Sequence, residues 1–389
     1  MTNQPQEGRI GNTMAYYAGF IGIGLSMSAL GPTLTKLADQ TGTVLAEISL
    51  LFMAKSAGYL IGTFIGGRLS DRLPGNPLIA ISLLTMAGML ALTPVIPVLW
   101  ILSGALLIMG IAEGVLDVGA NTSLMWSHGD RIGPWMNGLH FFFGVGAFLC
   151  PIIIDWTELR TGSITWSYWI LAIMIVPSAF WILARRSPRN PNDGEENGNG
   201  PADMTLVPLM ALFYFTFVGA EMGFGGWIFT YATKLGIADE SGARLMTSVY
   251  WGALTIGRLL AIPIAARFSN KIILAVDLAG CILSVLLIML FPENTAVLWA
   301  GAFGFGFSMA SLFPTGLNFA QGLMSITGKI TSWFLIGGSL GSMIIPWTIG
   351  QFFESVGPGA MLYLLLVDMV FSTMVFAGIL IYCRRKQIA

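Results

Sequence analysis

Long apolar runs alternate with short polar or Pro/Gly-rich interruptions along the 389 residues of this chain. A helix needs about 20 apolar residues to cross the hydrocarbon core of a bilayer. Twelve runs reach that length, so the pattern predicts an all-α membrane protein with 12 transmembrane helices. The predicted spans are residues 12–35, 45–67, 77–95, 98–126, 134–155, 163–184, 204–234, 243–266, 271–291, 294–322, 327–353 and 358–383.

The composition supports a protein whose solvent is the lipid bilayer. Hydrophobic residues make up 55% of the chain, charged residues only 10%, and the mean hydropathy is +0.76. Soluble domains carry about 25% charged residues, which excludes an ordinary globular fold. The net charge of −1 gives no sign of a nucleic-acid partner, and none is predicted. The three cysteines have no regular spacing, so neither a disulfide framework nor a metal site is expected.

The longest polar interruption divides the twelve runs six and six. It covers residues 185–203 and contains Pro188, Pro191 and an acidic, glycine-rich stretch at 193–200. Such a segment cannot bury enough apolar surface to order itself. We therefore predict an N-terminal six-helix bundle at 1–184, a cytoplasmic linker at 185–203 and a C-terminal six-helix bundle at 204–389. Both bundles occur in one chain, which predicts a functional monomer.

The distribution of basic residues predicts the orientation, because cytoplasmic loops carry an excess of Lys and Arg. A cytoplasmic N-terminus places thirteen basic residues on that side and four on the other. The thirteen are Arg9, Arg68, Arg72, Arg131, Arg185, Arg186, Arg189, Arg267, Lys271, Lys329, Arg384, Arg385 and Lys386; the four are Lys36, Arg160, Lys234 and Arg244. Both termini are therefore predicted to be cytoplasmic. Short loops favour a bacterial inner membrane.

Two stretches of the chain repeat each other without a gap. Residues 56–72 align with residues 255–271 at an offset of 199, so Gly58 corresponds to Gly257. The stretches lie at the ends of predicted helices 2 and 8, so the two halves have the same orientation. Parallel six-helix repeats of this kind resemble the plan of the major facilitator transporters.

The loop after predicted helix 2 also resembles a signature of that superfamily. It contains Gly67, Arg68, Asp71 and Arg72, and its counterpart in the second half contains Arg267. We predict a cytoplasmic latch whose ion pairs break and reform as the halves move. The alternative is an ordinary short loop, since Gly and Arg are common in such loops.

Two acids on predicted helix 4 are the first candidates for ion coupling. A charged side chain at the bilayer centre costs about 2.5–3.5 kcal/mol, so it requires a partner or a function. Glu113 and Asp117 are four residues apart and share one helix face. In a low dielectric they cannot both ionise cheaply, so one is expected to hold a proton or share a cation. Alternatively, either acid is a structural partner of Lys55 or Arg258, and the sequence does not decide between them.

The predicted substrate site combines carboxylate, amide and aromatic side chains. Glu221 lies within a segment of helix 7 that has four glycines in residues 219–227, which weaken the helix and favour a cavity. Amides and carboxylates bridge vicinal hydroxyls while aromatic rings stack on a pyranose, so a sugar is favoured, although peptides and drugs use similar pockets. The candidates are Asn121, Glu221, Trp227, Tyr231, His140, Asn137, Trp251, Arg258, Asn318 and Gln321.

Five segments resemble the sodium-dependent glucose transporter branch of the superfamily, which is related to the fucose/proton symporters. They are residues 110–121, 140–151, 218–231, 257–263 and 312–316. The resemblance implies a cation-coupled importer of a hexose-like sugar, with Asp117 and Asn121 in the coupling and substrate region. Two departures leave the coupling ion open. Residue 112 is Ala where the motif has a second glycine, and helix 1 has no carboxylate, so Glu113 is expected to share the coupling.

The preferred hypothesis is therefore a secondary transporter with a midplane site lined by helices 1, 4, 7 and 10. No resident cofactor is expected, only a transported Na⁺ or H⁺. A transporter of another solute or a lipid, acting as an efflux pump or flippase, is the nearest alternative, and a non-transporting sensor is a further one. An enzyme is not expected, because two histidines and no H-E-x-x-H motif give no recognisable catalytic or metal site.

Overall fold

The computed structural model describes residues 6–70, 72–188, 205–324 and 328–386, and this part of the chain is all-helical outside its turns. Twelve helices are long and apolar enough to cross a membrane, so the predicted number of spans is confirmed. We number them α1–α12. They are Gly8–Thr41, Leu45–Ser70, Gly75–Val95, Leu99–His128, Ile132–Thr161, Ile164–Leu183, Leu206–Lys234, Glu240–Ala265, Asn270–Leu290, Thr295–Gln321, Ile330–Ser355 and Ala360–Lys386.

Three of these spans are composite. α2 consists of a helical turn, Leu45–Ile48, followed by the helix Leu50–Ser70. α3 ends as a 3₁₀ turn that contains Pro94, and α10 is divided into Thr295–Met309 and Leu312–Gln321. The division of α10 precedes Pro314, which has no N–H for the carbonyl of residue 310. The helical geometry of α1 begins at Gln6 and that of α11 at Gly328, and a 3₁₀ turn, Gly129–Arg131, precedes α5.

The chain packs as two compact units. Unit 1 is Met1–Val44 with Ala54–Glu195, and unit 2 is Leu45–Met53 with Glu196–Ala389. The start of α2 therefore belongs to unit 2, whereas the predicted bundle 1–184 contained the whole of that helix. Most of the predicted linker 185–203 lies outside the described residues, so the predicted domain boundaries stay a prediction.

Unit 1 is assembled through glycines that let helices approach closely. A Cβ added at Gly24 of α1 would meet the backbone of Phe143 in α5, so these two helices touch without an intervening side chain. The α1 helix is also joined by hydrogen bonds to its neighbours. Tyr16 Oη donates to Asn76 Oδ1 of α3 at 2.6 Å, and the Thr33 hydroxyl lies 2.8 Å from that of Tyr168 in α6.

Unit 2 is centred on α7 and uses the same device. Cβ atoms at Gly337 and Gly341 of α11 would run into carbonyl groups of α7. The start of α2 is tied to the end of α11: the Leu45 N–H donates to Glu354 Oε1 at 2.9 Å, and Gln351 Nε2 donates to the Ala46 carbonyl at 2.7 Å. These bonds explain why residues 45–53 pack with unit 2.

Candidate functional site

A buried ion pair joins α2 and α4 in unit 1. Lys55 Nζ lies 3.1 Å from Glu113 Oε1 and donates to the Ser26 carbonyl of α1 at 2.7 Å. The Ser26 hydroxyl donates to the same Glu113 oxygen at 2.5 Å. The Glu113 side chain is fully buried and that of Lys55 is 10% exposed. The structure therefore identifies Glu113 as the acid that Lys55 neutralises.

The second acid of α4 has different partners. Asp117 Oδ2 accepts a hydrogen bond from Tyr59 Oη of α2 at 2.5 Å, and Asp117 Oδ1 accepts one from Asn121 Nδ2 at 2.8 Å. Asn121 Nδ2 also lies 2.8 Å from the Asp117 carbonyl. Asp117 has no salt bridge to a basic side chain of the described chain. Its carboxylate is therefore held by neutral donors alone.

Close backbone contact between α2 and α4 places these groups within reach of each other. A Cβ added at Gly110 would meet the carbonyl of Lys55, and one at Gly114 would meet that of Tyr59. Conversely, a Cβ at Gly58 would meet the carbonyl of Leu107. Glycines on both helices thus bring the two side chains of α2 beside the two acids of α4.

The predicted residues of α5 lie on a different part of unit 1. The His140 ring packs edge-on against Phe20 of α1, with 5.8 Å between ring centroids. Asn137 is exposed. Tyr17 of α1 also packs against α5: its ring stacks on Phe142 with 4.9 Å between centroids, and its hydroxyl donates to the Trp135 carbonyl. His140 therefore packs among aromatic side chains of α1 and α5, and its substrate role stays a prediction.

A second acid–base pair lies in unit 2, between α7 and α8. Arg258 Nη2 is 3.5 Å from Glu221 Oε1, and the side chains are 21% and 11% exposed. Tyr250 Oη donates to the backbone carbonyl of Glu221 at 2.8 Å. The pair is longer and more open than the one in unit 1. It answers the question of which acid accompanies Arg258.

The aromatic candidates of unit 2 are packing residues in this conformation. Trp227 is fully buried, donates from Nε1 to the Pro346 carbonyl at 2.8 Å, and stacks on Phe353 at 5.0 Å. Trp251 is buried edge-on to Tyr250 at 5.0 Å, and Tyr231 is buried as well. Their proposed contact with substrate stays a prediction.

The remaining predicted residues do not join these clusters. Asn318 and Gln321 are exposed at the end of α10. Of the predicted latch, Asp71 lies outside the described residues. Gly67 is half-buried, and the three arginines of the latch are exposed, namely Arg68, Arg72 and Arg267. The latch therefore stays a prediction.

Three residues of the two clusters were not among the sequence candidates: Ser26, Tyr59 and Tyr250. Tyr59 could have been identified from the sequence, because the ungapped repeat aligns it with Arg258. Both residues follow the repeated glycine of their helix and both contact a buried acid. Ser26 carried no signal, since a single serine in an apolar helix is common. Among the described residues, no group of three or more His, Cys, Asp or Glu is placed to hold a metal ion.

Comparisons with known proteins agree with this architecture. The family model described as Major Facilitator Superfamily matches residues 16–346. The mouse protein named Sodium-dependent glucose transporter 1A is 30% identical over 374 residues, which cover 86% of this chain and 88% of the relative. The human Sodium-dependent glucose transporter 1 is 30% identical over 375 residues, covering 86% and 72%. The resemblance to that branch is confirmed.

Solved structures share the fold at lower identity. A bacterial homologue of the human lysosomal transporter Spinster, in an inward-facing and unoccupied conformation, gives a TM-score of 0.75 at 12% identity and covers 98% of both chains. A mutant of the nucleoside transporter NupG gives 0.74 at 14% identity, covering 96% of this chain and 98% of that one. With twelve spans and a family match across most of its length, this multi-pass membrane protein belongs to the major facilitator superfamily of transporters.

Proposed function

We propose that this protein is a secondary active transporter that couples uptake of a hexose-like sugar to a cation, Na⁺ or H⁺, by alternating access. The observation that carries the proposal is the charge count of the α2–α4 cluster. Its two carboxylates, Glu113 and Asp117, have one ammonium group, that of Lys55. With both acids ionised, the cluster lacks one positive charge, which a membrane interior penalises.

We propose that the transported cation supplies the missing positive charge at Asp117. Glu113 already has Lys55, whereas Asp117 has only the Tyr59 hydroxyl and the Asn121 amide. Both donors are neutral, so they orient the carboxylate without compensating its charge. Asp117 is also half-buried, whereas the Glu113 side chain is fully buried.

The sugar half of the proposal is supported by the names of the relatives and by the pair in unit 2. The mouse and human relatives are named as sodium-dependent glucose transporters. Glu221 and Arg258 combine acceptor and donor groups that suit vicinal hydroxyls, and their 3.5 Å contact is weak enough to exchange for a ligand. We also propose that both termini are cytoplasmic, that the protein is a monomer and that it resides in a bacterial inner membrane.

The test is uptake of radiolabelled sugars into proteoliposomes, with Na⁺ and pH gradients imposed separately. We expect one gradient to drive accumulation. The Asp117→Asn variant should lose accumulation against a gradient while keeping counterflow exchange. Asp277→Asn is the matched control, because Asp277 lies in unit 2 and accepts a hydrogen bond from Ser311.

Two results would contradict the proposal. Undiminished accumulation by Asp117→Asn would remove the coupling role of this residue. Absence of accumulation and competition for every hexose under either gradient would remove the sugar, and nucleosides, amphipathic compounds and lipids would then be the solutes to test.

A further inference from the structure

The Lys55 ammonium group occupies a position lined by oxygen atoms. It contacts Glu113 Oε1 at 3.1 Å and the Ser26 carbonyl at 2.7 Å, and the Ser26 hydroxyl lies beside it on the same carboxylate oxygen. The other carboxylate oxygen, Glu113 Oε2, is buried and has no hydrogen-bond partner. Two oxygen atoms, Glu113 Oε1 and the Ser26 carbonyl, therefore contact the tip of Lys55, and the same two residues carry two further oxygens, Glu113 Oε2 and the Ser26 hydroxyl.

Carboxylate, hydroxyl and backbone carbonyl oxygens are the ligands that hard metal cations prefer. In transporters, backbone carbonyls at unwound positions of spanning helices also coordinate Na⁺. The Ser26 carbonyl lies within the continuous helix α1 but already accepts a hydrogen bond from the ammonium group. The position that Lys55 Nζ fills thus has the ligand chemistry of a small alkali cation. The lysine supplies the positive charge itself: its ammonium group donates to the Ser26 carbonyl and forms an ion pair with Glu113.

We propose that Lys55 acts as a tethered cation that takes the place of a sodium ion at Glu113. The chain then neutralises Glu113 permanently, and only Asp117 exchanges an ion with the solvent. The inference deepens the proposed function and rests on it in that last step. The assignment of the Glu113 position to a sodium-like site rests on the contacts of Lys55 alone.

The backbone geometry explains why this lysine stays in place. Gly110, three residues before Glu113, has no side chain and touches the carbonyl of Lys55. Gly58, three residues after Lys55, similarly touches the carbonyl of Leu107. The α2 helix therefore lies against the backbone of α4 on both sides of the ion pair, which keeps the backbone of Lys55 close to that of Glu113.

The test measures sodium binding by variants in which the Lys55 side chain is replaced. Lys55→Ala removes the ammonium group but keeps the carboxylate and the Ser26 oxygens. All variants carry Asp117→Asn, so that any ion bound at Asp117 is absent from the measurement. The full-length proteins are purified in detergent without sugar, and ²²Na⁺ binding is measured in alkaline buffer by scintillation proximity. Choline chloride keeps the ionic strength constant, and potassium chloride tests selectivity.

We expect Lys55→Ala/Asp117→Asn to bind one sodium ion per chain, whereas Asp117→Asn alone binds none. Lys55→Arg/Asp117→Asn keeps a tethered cation and should also bind none. Addition of Glu113→Gln to the alanine variant should abolish the binding. A folded Lys55→Ala/Asp117→Asn protein that binds no more sodium than the arginine control would overturn the proposal.

If the Lys55→Ala/Asp117→Asn variant does not fold in the binding buffer, a second measurement tests the proposal. Purification is then compared in sodium and in choline buffer, and recovery of monodisperse protein in sodium alone supports the proposal. If the variant fails in both buffers while Lys55→Ala/Glu113→Gln/Asp117→Asn is folded, sodium does not replace the ammonium group and the proposal is wrong. Neither result depends on transport, so failure of the proposed sugar uptake would leave this test intact.

Discussion

The two units treat a buried acid–base pair in different ways. In unit 1, Lys55 and Glu113 are 3.1 Å apart, and Ser26 contributes both its hydroxyl and its carbonyl. In unit 2, Arg258 and Glu221 are 3.5 Å apart, and their side chains are 21% and 11% exposed. The repeat relates the two regions, but the base comes from a different position on α2 than on α8. Tyr59, not Lys55, corresponds to Arg258.

The difference separates a structural charge from an exchangeable one. A buried pair gains little over apolar residues but is costly to break, because the remaining charge is left in a low dielectric. The sealed pair of unit 1 therefore suits a permanent role. A contact of 3.5 Å is weaker than one of 3.1 Å, so the pair of unit 2 is easier to exchange for the hydroxyl groups of a ligand.

The largest expected effect is the loss of stability when one acid of each pair is neutralised. Glu113→Gln leaves Lys55 charged and buried, and we expect a loss of about 3–5 kcal/mol. Glu221→Gln removes a 3.5 Å contact from an Arg258 side chain that is 21% exposed, and a smaller loss of about 1–3 kcal/mol is expected. Melting temperatures in one detergent compare the two. The Lys55→Met/Glu113→Gln variant, which replaces the pair with neutral side chains, should recover most of the loss. Equal losses for the two single variants would remove the distinction between the pairs.

The next effect concerns the glycine contacts that position the pairs. Gly110→Ala drives a Cβ into the backbone of Lys55 and should destabilise the protein by about 1–3 kcal/mol. Gly104→Ala is the control on the same helix, since nothing lies within 4 Å of its added Cβ. In unit 2, Gly257→Ala places a Cβ 2.6 Å from that of Ala310 and 2.9 Å from the Phe307 carbonyl. We expect the thermal stability of Gly257→Ala to lie between those of Gly110→Ala and Gly104→Ala. A neutral Gly110→Ala would contradict the close approach of α2 and α4.

A difference of about 1 kcal/mol is expected between the two tyrosines. Tyr59→Phe removes a hydrogen bond to the Asp117 carboxylate, and Tyr250→Phe removes one to the Glu221 carbonyl. Because bonds to charged groups are stronger, we expect about 1.5–3 kcal/mol for the first and about 0.5–1.5 for the second. Thermal unfolding of both variants measures the difference. Tyr59→Phe should also change the cation concentration that gives half-maximal uptake, whereas Tyr250→Phe should not. The reverse order of the two losses would show that Asp117 is not ionised in the resting protein.

The smallest effect is expected at the ion pairs near the helix ends. Lys36 lies 3.1 Å from Glu158 in unit 1, with 37% of the lysine side chain exposed. In unit 2, Glu240 is 49% exposed beside Arg244 at 2.7 Å. Lys36→Ala should cost less than about 1 kcal/mol, and Glu240→Ala somewhat more, because the Arg244 side chain that it leaves behind is only 3% exposed. The loss should decrease further in high salt, which weakens exposed pairs. A loss of more than about 2 kcal/mol at either position would mean that the pair behaves as a buried ion pair.

Much of the fold was predictable because its signals are local. Each apolar run of spanning length corresponds to a helix, and Pro94 and Pro314 mark irregular points in α3 and α10. The two acids of α4 were also identifiable, since a charge in an apolar run is conspicuous. Their separate partners were not. Glu113 and Asp117 share a helix face, yet one meets Lys55 and the other Tyr59, because the register between α2 and α4 assigns them.

The aromatic candidates show the limit of reasoning from residue type. Trp227 has the side chain of a sugar-stacking residue, but its ring packs on Phe353 and its N–H is used by the Pro346 carbonyl. The same residue type serves packing or binding, and only its neighbours distinguish the two. Likewise, nothing in the apolar run of α2 shows that residues 45–53 pack with unit 2, since that depends on hydrogen bonds to Gln351 and Glu354.

The sequence by itself determined the class of this protein: a twelve-span membrane protein with a six-helix repeat and membrane-embedded acids, because span length, hydropathy and internal repetition are properties of the chain. The tertiary structure decided which of those acids has a counter-charge. Contacts across helices depend on rotation and register, which glycines such as Gly58 and Gly110 set by allowing the backbones to touch. That packing leaves Glu113 paired with Lys55 and Asp117 with neutral donors, a distinction that no pattern along the chain contains.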